Sequence, residues 1–182
     1  MKFYRTEISD VIIFEPEVHS DNRGYFFESF NQKQFEKAVG RTVNFIQDNH
    51  SFSYKNVLRG LHYQLNPLAQ AKLVRCLRGA IYDVAVDIRI KSPTFGKWIG
   101  VELSANNKRQ IWIPEGFAHG FVSLEDKSEI HYKTNNYYSK ELERSIIWND
   151  SDLNIEWPIK PDVISEKDSQ AKKLKVADLF EY

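Results

Sequence analysis

Alternating apolar and polar positions recur along most of the chain in runs too short for helices. The run "AIYDVAVDIR" is the clearest. Tyr82, Val84, Val86 and Ile88 fall on one face and Asp83 and Asp87 on the other, the period-two signature of a strand. Comparable runs are "DVIIFEPEV", "TVNFIQDNHSF", "VLRGLHYQ", "AKLVRCLRG", "WIGVELS", "RQIWIPEG", "AHGFVSL" and "EIHYKTNNYY". Between them lie the turn signals "LNP", "RG", "SPTFG", "SANN" and "PEG", rich in Gly, Pro and Asn. Pro16 interrupts "DVIIFEPEV", which predicts an edge strand there. "DNRGYFFESF" predicts a turn at Asp21, Asn22 and Gly24, then an aromatic strand. Helix signals are few. "NQKQFEKAVG" predicts one short helix, started by Asn31 and stopped by Gly40, and "ISEKDSQAKKLKVADLFEY" predicts a loop with one or two more. No linker, repeat or low-complexity stretch divides residues 1–182, so a single domain is expected. Many closely spaced strands predict an all-β sandwich or barrel.

Composition narrows the function classes. With 182 residues, 42% of them hydrophobic, the chain can build one core without covalent staples. Formal net charge is zero, from 25 basic and 25 acidic residues. No basic stripe appears, so a nucleic-acid partner is not expected. The single cysteine, Cys76, excludes an internal disulfide and suits a reducing compartment. The amino-terminal residues lack a signal-like apolar block and no stretch is long enough to span a bilayer. A cytoplasmic protein without a membrane partner is therefore expected.

Polar residues placed on strands change this picture, because a small barrel's interior is filled by apolar side chains unless it holds a ligand. Arg59 and His62 flank Gly60 in "LRGLHYQ". Lys72 opens "KLVRCL", sharing a face with Val74 and Cys76. On a regular strand Arg59 and His62 would face opposite ways, and a bulge at Gly60 would bring them together. Each has an ordinary reading: a satisfied structural histidine, a solvated lysine, a surface arginine. "IPEGFAHGF" says more. Pro114 and Gly116 form a turn, and Ala118 and Gly120 leave room beside His119. The spacing Pro-x-Gly-x-x-His resembles the second motif of the cupin barrels, whose histidine is often a metal ligand. The first cupin motif needs His-x-His and a glutamate, whereas this chain offers only His62 there. One or two histidines without a carboxylate make a poor transition-metal site. The resemblance is thus to a cupin that has lost its metal, its histidines free for proton transfer.

Taken together, "DNRGYFFESF", "QDNHS", "VLRGLHYQ", "QAKLVR", "DVAVDIRIKSPTFGKW", "QIWIPEGFAHGF", "WNDSDLNIEWP" and "SEKD" closely resemble the dTDP-4-dehydrorhamnose 3,5-epimerase family. The resemblance covers almost the whole chain. It implies a cupin, or double-stranded β-helix jelly-roll, barrel with a few short peripheral helices, no metal and no cofactor. It also implies a homodimer in which the amino-terminal strand of "RGYFFE" crosses to the partner, so that each site is built from two chains. The implied substrate is a dTDP-linked 4-keto-6-deoxyhexose, and the implied product is dTDP-4-dehydro-L-rhamnose, a precursor of surface polysaccharide.

A ketone at C4 acidifies the C–H bonds at C3 and C5, since proton loss gives an enolate. Epimerisation needs a base on one face, an acid on the other and a stabiliser for the enolate oxygen. The family pattern makes His62 the base, Tyr132 the acid and Lys72 the cation beside the C4 oxygen. It makes Asp168 the residue orienting His62, although Asp83, on a central strand, is a rival. His119 would donate to the same oxygen or shape the pocket. Arg59 and Arg23 would bind the pyrophosphate through guanidinium forks. Phe26 and Tyr138 are candidates for stacking on thymine, and Glu28, Gln47 and Asn49 for its polar edges or the ribose. Other readings stay open on these residues alone: an epimerase acting at one carbon, a 3,4-ketoisomerase, a metal-dependent cupin, or a sugar-nucleotide-binding module without catalysis.

Overall fold

The computed structural model describes residues 1–181. Strands β1 (Lys2–Arg5), β2 (Ile12–Glu15), β3 (His19–Asp21) and β4 (Gly24–Phe26) precede helix α1 (Gln32–Val39). Next come β5 (Gln47–Ser53), β6 (Val57–Gln64), β7 (Lys72–Arg78), β8 (Ala80–Asp87), β9 (Trp98–Ser104), β10 (Gln110–Ile113), β11 (Phe117–Ser123) and β12 (Ser128–Thr134). The chain ends with β13 (Glu143–Ser145), β14 (Val163–Ile164), helix α2 (Glu166–Ser169) and a 3₁₀ turn at Leu174–Val176. One six-stranded sheet runs β1-β2-β10-β7-β12-β5, and a second runs β13-β6-β11-β8-β9 with β14 beside β6. Only β14 pairs in parallel with its neighbour within these sheets. The β3–β4 hairpin pairs with neither sheet. Among the described residues no helix is long and apolar enough to cross a membrane.

Strand alternation sorts side chains into three apolar layers. Ile13, Val74, Cys76, Ile111, Ile113 and Ile130 of the first sheet meet Ile81, Ala85, Leu103, Phe117 and Phe121 of the second, filling the space between them. The outer face of the first sheet carries Ile12, Phe14, Leu73 and Trp112, covered by Phe35 and Ala38 of α1. Asn31 caps that helix, its side chain accepting from the Gln34 N–H, and Gly40 ends it at φ 80°, as the sequence signals predict. The outer face of the second sheet carries Leu61, Tyr63, Val84, Val86 and Ile88, covered by Leu153, Leu174 and Phe180 of the carboxy-terminal segment. The apolar face of "AIYDVAVDIR" therefore points outward under that segment, and Asp83 and Asp87 share the face turned inward.

Two expectations need correcting. Pro16 does not mark an edge strand: β2 lies between β1 and β10, and Pro16 follows its last residue, outside the ladder. Gly120 does not serve mainly to make room for His119. A Cβ on Gly120 would lie 2.8 Å from the Arg59 carbonyl oxygen, so this glycine lets β6 approach β11 closely.

The predicted bulge exists. His119 opposes His62 and Phe121 opposes Arg59, so three steps along β6 match two along β11. Opposed residues share a face, and Arg59 therefore joins His62 on the inner side. Gly60 occupies the irregularity at φ +132°, and a Cβ there would sit 2.5 Å from the Gly120 Cα. Gly60→Ala is expected to lower the melting temperature by several degrees, since a strained φ alone costs about 1–3 kcal/mol. A variant melting with the wild type in calorimetry would contradict this reading of the bulge.

Candidate active site

A cavity of about 140 Å³ opens between the two sheets, lined by Gln47, Asn49, His62, Tyr63, Gln64, Gln70, Lys72, Tyr132, Tyr138 and Glu143. His62 comes from β6 of one sheet; Lys72 and Tyr132 come from β7 and β12 of the other. An imidazole thus faces a phenol and an ammonium across one space. Clefts that enclose drug-sized ligands hold roughly 300–1,000 Å³, so this cavity suits one small ring rather than a whole nucleotide sugar. A larger cleft of about 520 Å³ lies elsewhere, between Arg5, Arg41, Arg89 and Trp112. Its arginines are engaged: Arg41 with Glu115, Arg89 with Asp10 and Asp87, Arg5 with the Ser9 and Ala38 carbonyls.

His62 is held from behind. Its Nε2 lies 2.6 Å from Asp168 Oδ1, while the Gly60 N–H donates to Asp168 Oδ2 at 3.1 Å. Ser165 caps the short helix α2 and places Asp168 there, buried. Burial works to raise the Asp168 carboxyl, but the hydrogen bonds from His62 and Gly60 outweigh it and hold the group below the usual carboxylate range. An ionised carboxylate only accepts, so Nε2 carries the proton and Nδ1 of the neutral ring keeps its lone pair. Nδ1 has no hydrogen-bond partner among the described residues. Asp83, the rival orienter, instead lies 2.9 Å from Nε2 of His119, with both groups buried.

Lys72 is only 8% exposed. Burial lowers its ammonium to about 8, opposed by the charges of Asp83 and Glu143. It makes one hydrogen bond, to the His62 carbonyl oxygen at 3.3 Å, leaving donors for a ligand oxygen. Burial raises the Tyr132 phenol, as does the Glu143 charge, while the Arg59 guanidinium opposes them. Tyr132 therefore stays protonated across the neutral range. His119 is pushed down chiefly by burial, with Asp83 opposing and the Lys72 ammonium adding to the fall; it stands behind the cavity as a neutral ring.

Gln47, Asn49 and Tyr138 line the cavity as expected. Gln47 donates to Asn49 at 2.9 Å and accepts from the Tyr138 N–H at 3.0 Å. Arg59 does not line the cavity; its exposed guanidinium donates to Ser53 Oγ and the Phe52 carbonyl. Three further expected site residues are not brought to this cavity within the chain. Arg23 and Phe26 line a separate open cleft on the β3–β4 hairpin, with Phe26 72% exposed and Arg23 paired to Asp21 at 2.5 Å. Glu28 accepts from Asn31 and Gln34 at the start of α1. Glu143 was not singled out from the sequence. It lies in the charged run "SKELERS", where β13 gave no apolar alternation to read, and only its pairing opposite Gln64 of β6 turns it toward the cavity. No three His, Cys, Asp or Glu side chains converge as a metal-binding group among the described residues.

Comparison with known proteins places this geometry. The profile of the dTDP-4-dehydrorhamnose 3,5-epimerases matches residues 5–176. The chain belongs to that family. It is 64% identical to the dTDP-4-dehydrorhamnose 3,5-epimerase of Shigella flexneri over 99% of each chain, and 59% identical to that of Salmonella typhimurium over 97% of each. Among solved structures it is similar to a dTDP-6-deoxy-D-glucose-3,5-epimerase of Legionella pneumophila in complex with dTDP-4-keto-L-rhamnose. That likeness has a TM-score of 0.95 at 49% identity and covers 100% of this chain and 98% of the other. The two facing sheets are thus the cupin-like jelly roll of the epimerase family.

In this epimerase-family site the His62 tautomer is open to direct measurement. Nitrogen-15 NMR at pH 8 is expected to show the proton on Nε2 in the wild type and a mixture of tautomers in Asp168→Asn. A wild-type ring protonated on Nδ1 would contradict the assignment.

Proposed function

We propose that the protein epimerises dTDP-4-dehydro-6-deoxy-D-glucose at C3 and C5, giving dTDP-4-dehydro-L-rhamnose for dTDP-L-rhamnose synthesis. The observation that carries this is the placing of His62 and Tyr132 on opposite sheets around one cavity, with Lys72 beside them. Family membership and the names of the relatives point the same way. His62 Nδ1 takes the proton from carbon, Asp168 stabilising the imidazolium that forms. The Lys72 ammonium bears the negative charge that grows on the C4 oxygen, favouring the enolate over the ketone. Tyr132 returns a proton to the opposite face. Removing one such oxyanion donor typically costs about 2.7–4 kcal/mol of barrier, the loss expected for Lys72→Ala. Sister reactions, epimerisation at one carbon or 3,4-ketoisomerisation, use the same groups in part.

The decisive experiment incubates enzyme and substrate in deuterium oxide and follows C3 and C5 by NMR. Deuterium is expected at both carbons in the wild type and at neither in His62→Ala, which should still bind dTDP. Label confined to C3 would replace this reading with a mono-epimerase, and undiminished exchange in His62→Ala would remove the histidine from the chemistry.

The nucleotide lies outside the small cavity in this proposal. Arg59 meets its pyrophosphate, while Gln47, Asn49 and Tyr138 meet the base and ribose. The remaining contacts come from a second copy of the chain, whose β3–β4 hairpin delivers Arg23 and Phe26, followed by Glu28. Support comes from the hairpin itself, which pairs with neither sheet and exposes 63% of Tyr25 and 72% of Phe26, an unusual use of large aromatics on a lone molecule. Mixing inactive Arg23→Ala with inactive His62→Ala under subunit exchange is expected to restore part of the wild-type rate, because one site of each mixed dimer is intact. Mixtures that stay inactive while exchange occurs would place Arg23 in its own chain's site.

A further inference from the structure

Gln64 lines the cavity together with His62, and no role has yet been given to it. It is the last residue of β6, two on from His62, so the two side chains share the inner face. Its carboxamide is buried and fully committed. Nε2 donates to the Leu68 carbonyl and, at 2.9 Å, to the Tyr137 carbonyl. Oε1 accepts from the Ser139 N–H at 2.8 Å. Both amide hydrogens are thus used within the protein, and none is left to donate to a substrate. Buried amides are ordinarily satisfied, but two of the partners here are particular: they are the residues on either side of Tyr138.

Packing does not hold Tyr138. Its side chain belongs to a residue 55% exposed, and residues 135–142, between β12 and β13, form no strand or helix. Its own hydrogen bonds are two: Gln47 accepts from its N–H at 3.0 Å, and Glu143 accepts from its hydroxyl at 3.0 Å. We infer that Gln64 is a positioning residue of the nucleotide site: by gripping both neighbours of Tyr138 it fixes the direction in which that ring is presented to the base. The inference rests on the reading of Tyr138 as a nucleotide contact and deepens it. Gln64 also ties this platform to β6, the strand of His62, and through Leu68 to the connection between β6 and β7. Base recognition and proton transfer thereby share one rigid frame.

The start of the same segment is pinned without Gln64. Gln70 donates to the Asn136 carbonyl at 2.8 Å, Asn136 donates to the Ala69 carbonyl at 2.8 Å, and Asn135 accepts from the Ala71 N–H at 2.8 Å. Replacing Gln64 should therefore leave the barrel in place and loosen only the stretch from Tyr137 to Ser139. The expected signature is one of binding. Losing a base's stacking on an aromatic ring typically weakens binding roughly 5- to 150-fold. Gln64→Met keeps the length of the side chain and removes its hydrogen bonds. It is expected to weaken dTDP binding, measured by calorimetry, roughly tenfold, and to raise KM by a similar factor with a smaller change in kcat. Gln64→Asn, one methylene shorter, should behave alike. Tyr138→Ala should weaken dTDP binding at least as much. Combining it with Gln64→Met should add little further loss, because Gln64 acts through that ring.

Full additivity of the two losses overturns the inference, as does an unchanged dTDP affinity in Gln64→Met and Gln64→Asn. A fall in kcat with KM unmoved overturns it too, by making Gln64 part of the proton-transfer geometry. So does failure of both variants to fold, which would make the amide a structural tie. The readings beneath it fail on other measurements. Unchanged dTDP affinity in Tyr138→Ala removes that ring from the base, and the inference with it. A wild-type protein that exchanges neither C3 nor C5 defeats the epimerase reading, while the dTDP measurements still decide the role of Gln64.

Discussion

A 2.6 Å contact between His62 and Asp168 organises the site by tying a mid-strand imidazole to the carboxy-terminal segment that β14 brings alongside β6. His62 is a mid-strand residue of the second sheet. Asp168 belongs to a four-residue helix whose capping serine and buried position are set by the carboxy-terminal segment. The same carboxylate takes the Gly60 N–H at the bulge. One ionised group thereby settles the imidazole's tautomer and satisfies a backbone donor where the ladder is irregular. A ring facing the interior keeps one orientation when its far nitrogen is committed, and this contact commits it.

The polar groups of the cavity are arranged so that each compensates another. Lys72 loses solvation and regains part of it from Asp83 and Glu143. His119 is kept neutral by burial, helped by the Lys72 ammonium, and tied by Asp83. Asp83 and Asp168 thus divide the two histidines between them, one ring held at the rear and one left with a free nitrogen. The phenol and the imidazole come from opposing sheets, and the ammonium sits on the strand next to that of the phenol.

Much of the fold was legible because its signals are local. Alternation in "AIYDVAVDIR" reflects two different environments on the faces of one strand, and Asn31 and Gly40 carry the chemistry that starts and stops a helix. What was hidden depends on partners distant in sequence. Pro16 reads as an edge signal until β1 is seen pairing outside β2. Asp168 lies in a charged stretch indistinguishable from a solvated loop, and family likeness rather than pattern selected it over Asp83. Glu143 sits among Lys, Glu and Arg residues on a three-residue strand too short to show a period. Arg59 and His62 could be put on one face only by supposing the bulge that the β6–β11 register displays.

The route of the last residues over the second sheet has a consequence for how the protein comes into being. Leu174 and Phe180 complete the apolar layer against Leu61, Tyr63 and Val84, and Asp168 lies just upstream of them. A nascent chain on the ribosome can already have emerged through β12, holding the imidazole, ammonium and phenol, yet lack the Asp168 carboxylate that the imidazole bonds. Docking of this late-made segment is therefore what gives the His62 ring its partner, after the strands carrying the other cavity groups have been made.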